Sequence, residues 1–179
     1  MTKLPSENDL GHWNRKIDEI LRMDRLTDNQ KVSRIRNLCS VACATTAIQP
    51  IPFADIFILT PIQAVFAAKI ASIRGVPVNK EDAGELMKQL AGMAGMGILA
   101  QNIAIGIWKI VAPGLGSFLT WPMVFALTYA IMTAADGYYK ARAAGKTLTP
   151  EELEAIVKKA KAEGKEEAKK HKPGEENPS

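Results

Sequence analysis

The middle of this chain carries almost no charge. Between Lys88 and Asp136 the only charged side chain is Lys109, and between Arg36 and Arg74 there are only Asp55 and Lys69. Residues 1–40, by contrast, carry eight basic and six acidic groups, and residues 139–179 carry ten and eight. Uncharged stretches of this length are stable where water is excluded, so we expect the middle to be buried in a protein core or in lipid.

The composition excludes several classes of protein. The chain has 179 residues, 47% of them hydrophobic, which is enough for one domain with a core and too apolar for intrinsic disorder. Its net charge of +4 is small, and basic residues stand beside acidic ones, so no nucleic-acid partner is expected. Cys39 and Cys43 lie one helical turn apart in an apolar stretch, which favours small buried residues over a redox or metal site.

The spacing of apolar residues predicts an all-α helical bundle with no strand. Capping patterns at Thr27, Asn79 and Thr149 mark helix starts, and glycine or proline marks the ends. Helices are expected over residues 10–24, from Thr27 to Gln49, over 53–74, from Asn79 to as far as Val111, from Ser117 to Ala144, and from Thr149 onward. Pro61 either kinks the third of these helices or allows Thr60 to begin a new one.

These helices divide the chain into three predicted regions. Residues 1–37 form amphipathic N-terminal helices, residues 38–145 form an apolar helical domain, and residues 146–179 form a charged C-terminal helix with a polar tail. Within the apolar domain, residues 89–108 and 110–135 carry no charge, and each stretch is long enough for a bilayer-spanning helix of about 20 residues. Together they predict a long, apolar, glycine-rich helical hairpin.

Aromatic and basic residues stand near the ends of this hairpin, as is typical of a membrane–water boundary. The predicted boundary residues are Trp108, Lys109, Trp121, Tyr138 and Tyr139. Both charged flanks would then lie on one side of the membrane, and their lysines and arginines favour the cytoplasmic side.

Small residues in the first arm predict close helix–helix packing. Each glycine weakens a water-exposed helix by roughly 1 kcal/mol relative to alanine, whereas close approach of helices in lipid uses them. The predicted packing residues are Ala91, Gly92, Gly95, Gly97, Ala100, Ala104 and Gly106.

Four polar residues stand in apolar surroundings and are candidates for buried polar groups: Asp55, Gln63, Gln101 and Asn102. Asp55 follows Pro52 by three residues, and the pattern favours an acid in the first turn of a helix over a residue of an ion pathway. A pore through Asp55, Gln101 and Asn102 is the weaker hypothesis.

No catalytic motif emerges. Gly145-Lys146-Thr147 resembles the end of a phosphate-binding loop, but Lys140 stands where that loop needs a glycine and a helix precedes it, so a helix end is favoured. His12 and His171 lie in the polar ends with no triad partner nearby in the sequence. We therefore expect a non-enzymatic protein without a cofactor or metal.

One series of residues resembles a known family. It comprises Gln49 to Asp55 (QPIPFAD), Leu59 to Gln63 (LTPIQ), Ala71 to Gly75 (ASIRG), Pro113 to Gly116 (PGLG) and Leu127 to Ala130 (LTYA). In order and spacing this series is similar to the YcjF family, bacterial helical domains of unknown function found beside or fused to Era-like and YcjX-type GTPases. The resemblance covers residues 38–142 and implies a membrane-associated helical module whose partner is a separate GTPase, because this chain has no GTPase domain.

Two functions remain open at the level of sequence. The first is a non-enzymatic module of the bacterial inner membrane, with cytoplasmic termini, that inserts or forms homo-oligomers through its apolar hairpin and binds a partner. The alternative is a soluble, cytoplasmic scaffold that forms homo-oligomers through the same apolar surface.

Overall fold

The computed structural model describes residues 7–47, 55–95, 115–173 and 175. These ranges form six α-helices and contain no strand, which confirms the all-α prediction for this part of the chain. The helices are α1 (Glu7–Leu21), α2 (Asp28–Thr46), α3 (Asp55–Ile73), α4 (Lys80–Gly95), α5 (Leu115–Ala143) and α6 (Pro150–Ala168).

Three helices begin at the predicted capping residues. Thr27 Oγ1 accepts a hydrogen bond from the Gln30 amide at 3.3 Å, and Gln30 Oε1 accepts one from the Thr27 amide at 2.9 Å. Thr149 and Glu152 form the same reciprocal pair before α6, with distances of 3.2 and 2.8 Å. Before α4, Asn79 Oδ1 accepts from the Asp82 amide at 2.7 Å. Each cap satisfies amide groups that a helix start leaves without partners.

Two connections between helices share one geometry. Gly75 and Gly145 follow α3 and α5 with φ angles of 71° and 68°, in the left-handed region that glycine adopts at little cost. The next residue in each case closes the turn, because Val76 donates to the Ala71 carbonyl and Lys146 to the Ala141 carbonyl. This is a common way for a helix to end. Gly145-Lys146-Thr147 is therefore a helix end, as predicted.

Pro61 and Pro122 each lie inside a continuous helix. α3 contains Pro61 and α5 contains Pro122, so Thr60 does not begin a separate helix. The exposed position of Pro61 keeps its ring away from the core.

α5 is the central helix, since α2, α3, α4 and α6 all pack against it. The main core contains Ile35 of α2, Ile70 of α3, Met87 of α4, Ile131 of α5 and Val157 of α6. A second buried cluster lies closer to the start of α5 and consists of Val41, Ala44, Trp121, Phe125, Tyr129 and Ala168. α1 packs on α2 and α3, with Ile17 fully buried.

The predicted apolar hairpin is not confirmed. Most of its first arm lies outside the described residues, and its second arm falls largely within α5, which four other helices contact. None of the helices in the described ranges is long and apolar enough to cross a membrane.

Candidate functional site

The helix contacts give the bundle two distinct ends. Arg36 of α2 donates to Thr133 of α5 at 3.4 Å, whereas Val41, further along α2, lies in the buried cluster with Trp121, near the start of α5. A Cβ added to Gly164 of α6 would lie 2.9 Å from Ala126 of α5, and a Cβ added to Gly137 of α5 would lie 3.2 Å from Ile156, near the start of α6. α2 and α6 therefore run antiparallel to α5. In α3, Gln63 pairs with Thr128 of α5 and Arg74, directly after the helix, with Asp136 of α5, so α3 runs parallel to α5.

We call the end containing Arg74, Asn79, Gly145 and Thr149 the polar end. The opposite end is called the apolar end: α2 and α4 finish there at Thr46 and Gly95, and α3 and α5 begin there at Asp55 and Leu115. Residues 48–54 and 96–114 connect these four helices, so both segments join the bundle at the apolar end. This juxtaposition cannot be read from the sequence alone.

Charge is distributed very differently at the two ends. At the polar end, Lys80, Glu81, Lys146, Glu151 and Glu152 are all exposed. At the apolar end, α2 carries no charge from Leu38 onward, α4 none from Gln89 onward, and α5 none between Leu115 and Ala135, while α3 begins with the acidic residue Asp55. The bundle is thus strongly asymmetric along its long axis.

α6, the C-terminal helix, does carry charged residues, but it ends before it reaches the first turns of α5. The ring of His171, just after α6, stacks on Phe125 with centroids 5.4 Å apart. Phe125 lies ten residues after Leu115, which is about 15 Å along a helix. The charged residues of α6 therefore end well before the apolar end is reached.

Aromatic rings fill the interior between α2, α5 and α6. Trp121, Phe125 and Tyr129 follow one face of α5 with centroid distances of 5.3 and 6.4 Å. The Arg36 guanidinium lies 4.2 Å above the Tyr129 ring, and its Nη atoms donate to Thr133 and Ser33. This cation–π contact allows a charged group of α2 to remain half-buried beside the apolar core.

Titratable groups at the end of α6 and just after it border this interior. Asn37 Nδ2 donates to Glu167 Oε1 at 3.3 Å, and Lys170 donates to Glu167 Oε2 at 2.8 Å. Burial alone raises the pKa of the Glu167 carboxyl, but the hydrogen bond and charge of Lys170, together with His171, bring the pKa below its ordinary value. Burial raises the pKa of Tyr129, with Arg36 opposing the shift. These contacts fasten the end of α6 to α2 and α5.

The described part of the chain places several predicted site residues. Gln63 is buried and bonded to Thr128 at 3.3 Å, as expected for a buried polar group. Asp55 is the first residue of α3, in agreement with its predicted position in a first turn. Ala91 packs against the main core, and Gly95 is the last residue of α4.

Gly92 does not lie at a close helix approach within the described residues, because a Cβ added there would meet no atom within 4 Å. Trp121 and Tyr139 are buried inside the bundle, and Tyr138 is half-buried. A place at a membrane boundary for these three residues stays a prediction. The remaining predicted residues lie outside the described ranges: Gly97, Ala100, Gln101, Asn102, Ala104, Gly106, Trp108 and Lys109.

Sequence reasoning missed a close approach of two helices, α5 and α6, at Gly164. At Gly164 an added Cβ would lie 2.9 Å from both the Cα and the carbonyl oxygen of Ala126, and 3.0 Å from Tyr129 Cβ. A glycine in the interior of an otherwise charged helix, where it weakens the helix without ending it, was the available signal.

Within the described ranges no group of three histidine, cysteine or carboxylate side chains is placed to hold a metal ion. Comparisons with protein-family models, with curated proteins and with solved structures find no match to this chain. The resemblance to the YcjF family therefore stays a prediction that depends on the residues quoted for it.

Proposed function

We propose that this chain is a non-enzymatic helical module that associates with a membrane through the apolar end of its bundle and presents its polar end to a protein partner. The observation that carries the proposal is topological. The two connecting segments 48–54 and 96–114 both join the bundle at the apolar end. The ends of α2, α4 and α5 there carry no charge, from Leu38, from Gln89 and up to Ala135, and the start of α3 carries only Asp55.

The composition of residues 96–114 supports a lipid environment. Lys109 is the only charge in this segment, which contains nine large apolar side chains: Met96, Ile98, Leu99, Ile103, Ile105, Ile107, Trp108, Ile110 and Val111. Removing each such side chain from water contributes about 1.5–3 kcal/mol, so the segment as a whole strongly favours apolar surroundings. α5 is already contacted by four helices of the described part, and the bilayer provides apolar surroundings beyond them.

The polar end supports the second half of the proposal. Its exposed groups carry both signs, with Lys80 and Lys146 beside Glu81, Glu151 and Glu152. Mixed charges at a protein surface favour a specific and correctly oriented partner. A separate GTPase is the partner that the YcjF resemblance implies, and the bacterial inner membrane with cytoplasmic termini is the location that goes with it.

The decisive experiment is membrane fractionation with an alkaline carbonate wash, followed by flotation of the purified chain on vesicles of phosphatidylethanolamine and phosphatidylglycerol. We expect the native chain to stay in the washed membrane and to float with the vesicles. The variant Ile103→Glu/Ile107→Glu should be released, because charged side chains are costly to bury in lipid.

The matched control is Ala143→Glu/Ala144→Glu, which adds the same charges at exposed positions of the polar end. This control should stay with the membrane. Release of the native chain into the supernatant as a defined oligomer, measured by light scattering, would overturn the proposal in favour of the scaffold that forms homo-oligomers through the same apolar segment. Circular dichroism of each variant checks that the helices are retained.

A further inference from the structure

His171 places a polar ring inside the bundle, just after the end of α6. Its side chain is only 1% exposed, and its ring stacks on Phe125 of α5 with centroids 5.4 Å apart. Phe125 is itself fully buried, so the histidine ring is part of what covers the aromatic interior between α2, α5 and α6. A buried ring of this kind needs partners for its two nitrogens.

Both ring nitrogens face carboxylates. Nδ1 lies 2.9 Å from Glu175 Oε2, and Nε2 lies 3.4 Å from Glu167 Oε1. Nε2 is at ion-pair distance but has no hydrogen-bond partner among the described residues, so charge rather than a hydrogen bond stabilises it there. A neutral imidazole donates from one nitrogen and presents a lone pair at the other, whereas an ionised carboxylate only accepts. Both contacts are therefore favourable only when the ring is protonated.

The carboxyl of Glu167 is ionised at neutral pH. Burial raises its pKa, but Lys170 and His171 together bring the pKa below the ordinary value. Asn37 of α2 also donates to Glu167 Oε1 at 3.3 Å, which holds this oxygen beside the histidine.

The same turn of chain positions Glu175. Its Oε2 atom accepts a hydrogen bond from the Lys172 amide at 3.3 Å, and its own amide donates to the Lys172 carbonyl at 3.2 Å. Glu175 thus closes a turn around His171, and the two residues bring the chain after α6 back against the bundle.

Few other charges surround the ring in the described part of the chain. The charged and titratable groups near it and its two carboxylates are Arg36 of α2, Tyr129 of α5, Glu163, Glu167 and Lys170 of α6, and Glu175. The guanidinium of Arg36 lies 4.2 Å above the Tyr129 ring, and Lys170 is bonded to Glu167 at 2.8 Å, so each of these cations has a partner of its own.

We propose that His171, Glu167 and Glu175 form a pH-sensitive clasp, in which the protonated histidine ring holds the chain after α6 against Phe125. When the ring loses its proton, one nitrogen turns a lone pair toward a carboxylate and that contact becomes unfavourable. The chain after α6 is then released, and Phe125 loses part of its cover beside Trp121. The inference is independent of membrane association, because the clasp consists of groups within the bundle.

The test follows both histidines of the full chain by NMR between about pH 5 and about pH 9, the range in which histidines commonly titrate. Nitrogen chemical shifts report whether each ring is protonated, and heteronuclear relaxation reports the mobility of the amides of residues 169–172 and 175. At the acidic end we expect both His171 nitrogens to carry protons and these amides to be as rigid as those of α6. The amides should become mobile as the His171 ring titrates, and His12 should titrate without this effect.

Two variants separate the clasp from simple packing. His171→Phe keeps a ring that can stack on Phe125 but takes up no proton, so the mobility of the chain after α6 should no longer depend on pH. Glu175→Gln removes one carboxylate and should move the release to lower pH by about one unit or more, because a nearby negative charge favours the protonated ring. The matched control Glu166→Gln removes an exposed carboxylate of the same helix, paired with Lys169, and should leave the pH of release unchanged.

The proposal is overturned if the His171 ring is neutral at the acidic end of this range, or if the amides after α6 stay rigid while the ring loses its proton. A pH response of His171→Phe like that of the native chain, or an unchanged pH of release in Glu175→Gln, would also overturn it. Circular dichroism of each variant checks that the helices are retained.

Discussion

Arg74 Nε lies 2.6 Å from Asp136 Oδ1, which joins the end of α3 to α5 near the polar end. Both side chains are nearly buried, with 10% and 11% of their surface exposed. Lys140 contacts the second carboxylate oxygen at 2.9 Å, and Arg74 Nη2 donates to Asn29 of α2 at 3.0 Å. The first acidic residue after the uncharged stretch thus fixes the relative positions of three helices.

Asp136→Asn should lower the free energy of unfolding by about 3 kcal/mol, because it leaves the Arg74 guanidinium buried without its counter-charge. Urea denaturation followed by circular dichroism measures the change. Glu166→Gln is the matched control: it makes the same substitution in the exposed pair with Lys169 and should change stability by less than about 1 kcal/mol. Equal effects of the two substitutions would show that the Arg74–Asp136 pair contributes no more to the free energy of unfolding than the exposed pair.

Gly164→Ala should destabilise the bundle by about 1–3 kcal/mol, because the new methyl group would overlap the Ala126 backbone and force α5 and α6 apart. Gly84→Ala, in the interior of α4, adds the same methyl group where no atom lies within 4 Å. It should stabilise the protein by up to about 1 kcal/mol through helix propensity. Thermal unfolding of both variants checks the prediction, and the same sign of change in both would contradict the close approach at Gly164.

Cys39 and Cys43 should resist thiol reagents in the folded protein. Both are free and fully buried, and burial raises the pKa of the Cys39 thiol, with Cys43 adding to the shift, so little thiolate is present. Reaction with a chromogenic disulfide reagent should follow the rate of opening and become fast in guanidinium. An Ala143→Cys variant supplies an exposed thiol for comparison. Rapid modification of the native chain at neutral pH would contradict the buried positions.

Stability should fall in alkaline solution as Tyr139 ionises. The pKa of its phenol is raised from 10.0 to about 12 in the folded protein, chiefly by burial, so the folded state keeps a proton that the unfolded chain loses. The resulting stabilisation is complete below about pH 10 and is lost as the pH rises through about 12.

Ultraviolet titration of phenolate absorbance, paired with urea denaturation over the same pH range, measures this loss. Tyr139→Phe should lose less stability than the native chain between pH 10 and 12, since it has no proton to lose at this site. If the free energy of unfolding depended on pH in the same way for the two proteins, the raised pKa of Tyr139 would be contradicted.

Local signals in the sequence determined where three of the described helices begin and where two of them end. Thr27, Asn79 and Thr149 cap helices because their side chains reach amides only three residues away, and Gly75 and Gly145 end helices because they adopt positive φ. These interactions lie within one helical turn and do not depend on the rest of the fold. The uncharged character of the middle likewise determined that α5 would be buried.

Only the tertiary structure decided what buries α5, and where the apolar segments join the bundle. Trp121 and Tyr139, which the sequence marks only as aromatic residues near uncharged stretches, are both covered within the bundle, and Gly164 of the charged last helix lies against the Ala126 backbone. An apolar stripe predicts that a helix face is covered but not which helix covers it. That choice depends on the combined packing of distant segments, as in the contact of Gly164 with Ala126 across 38 positions of sequence.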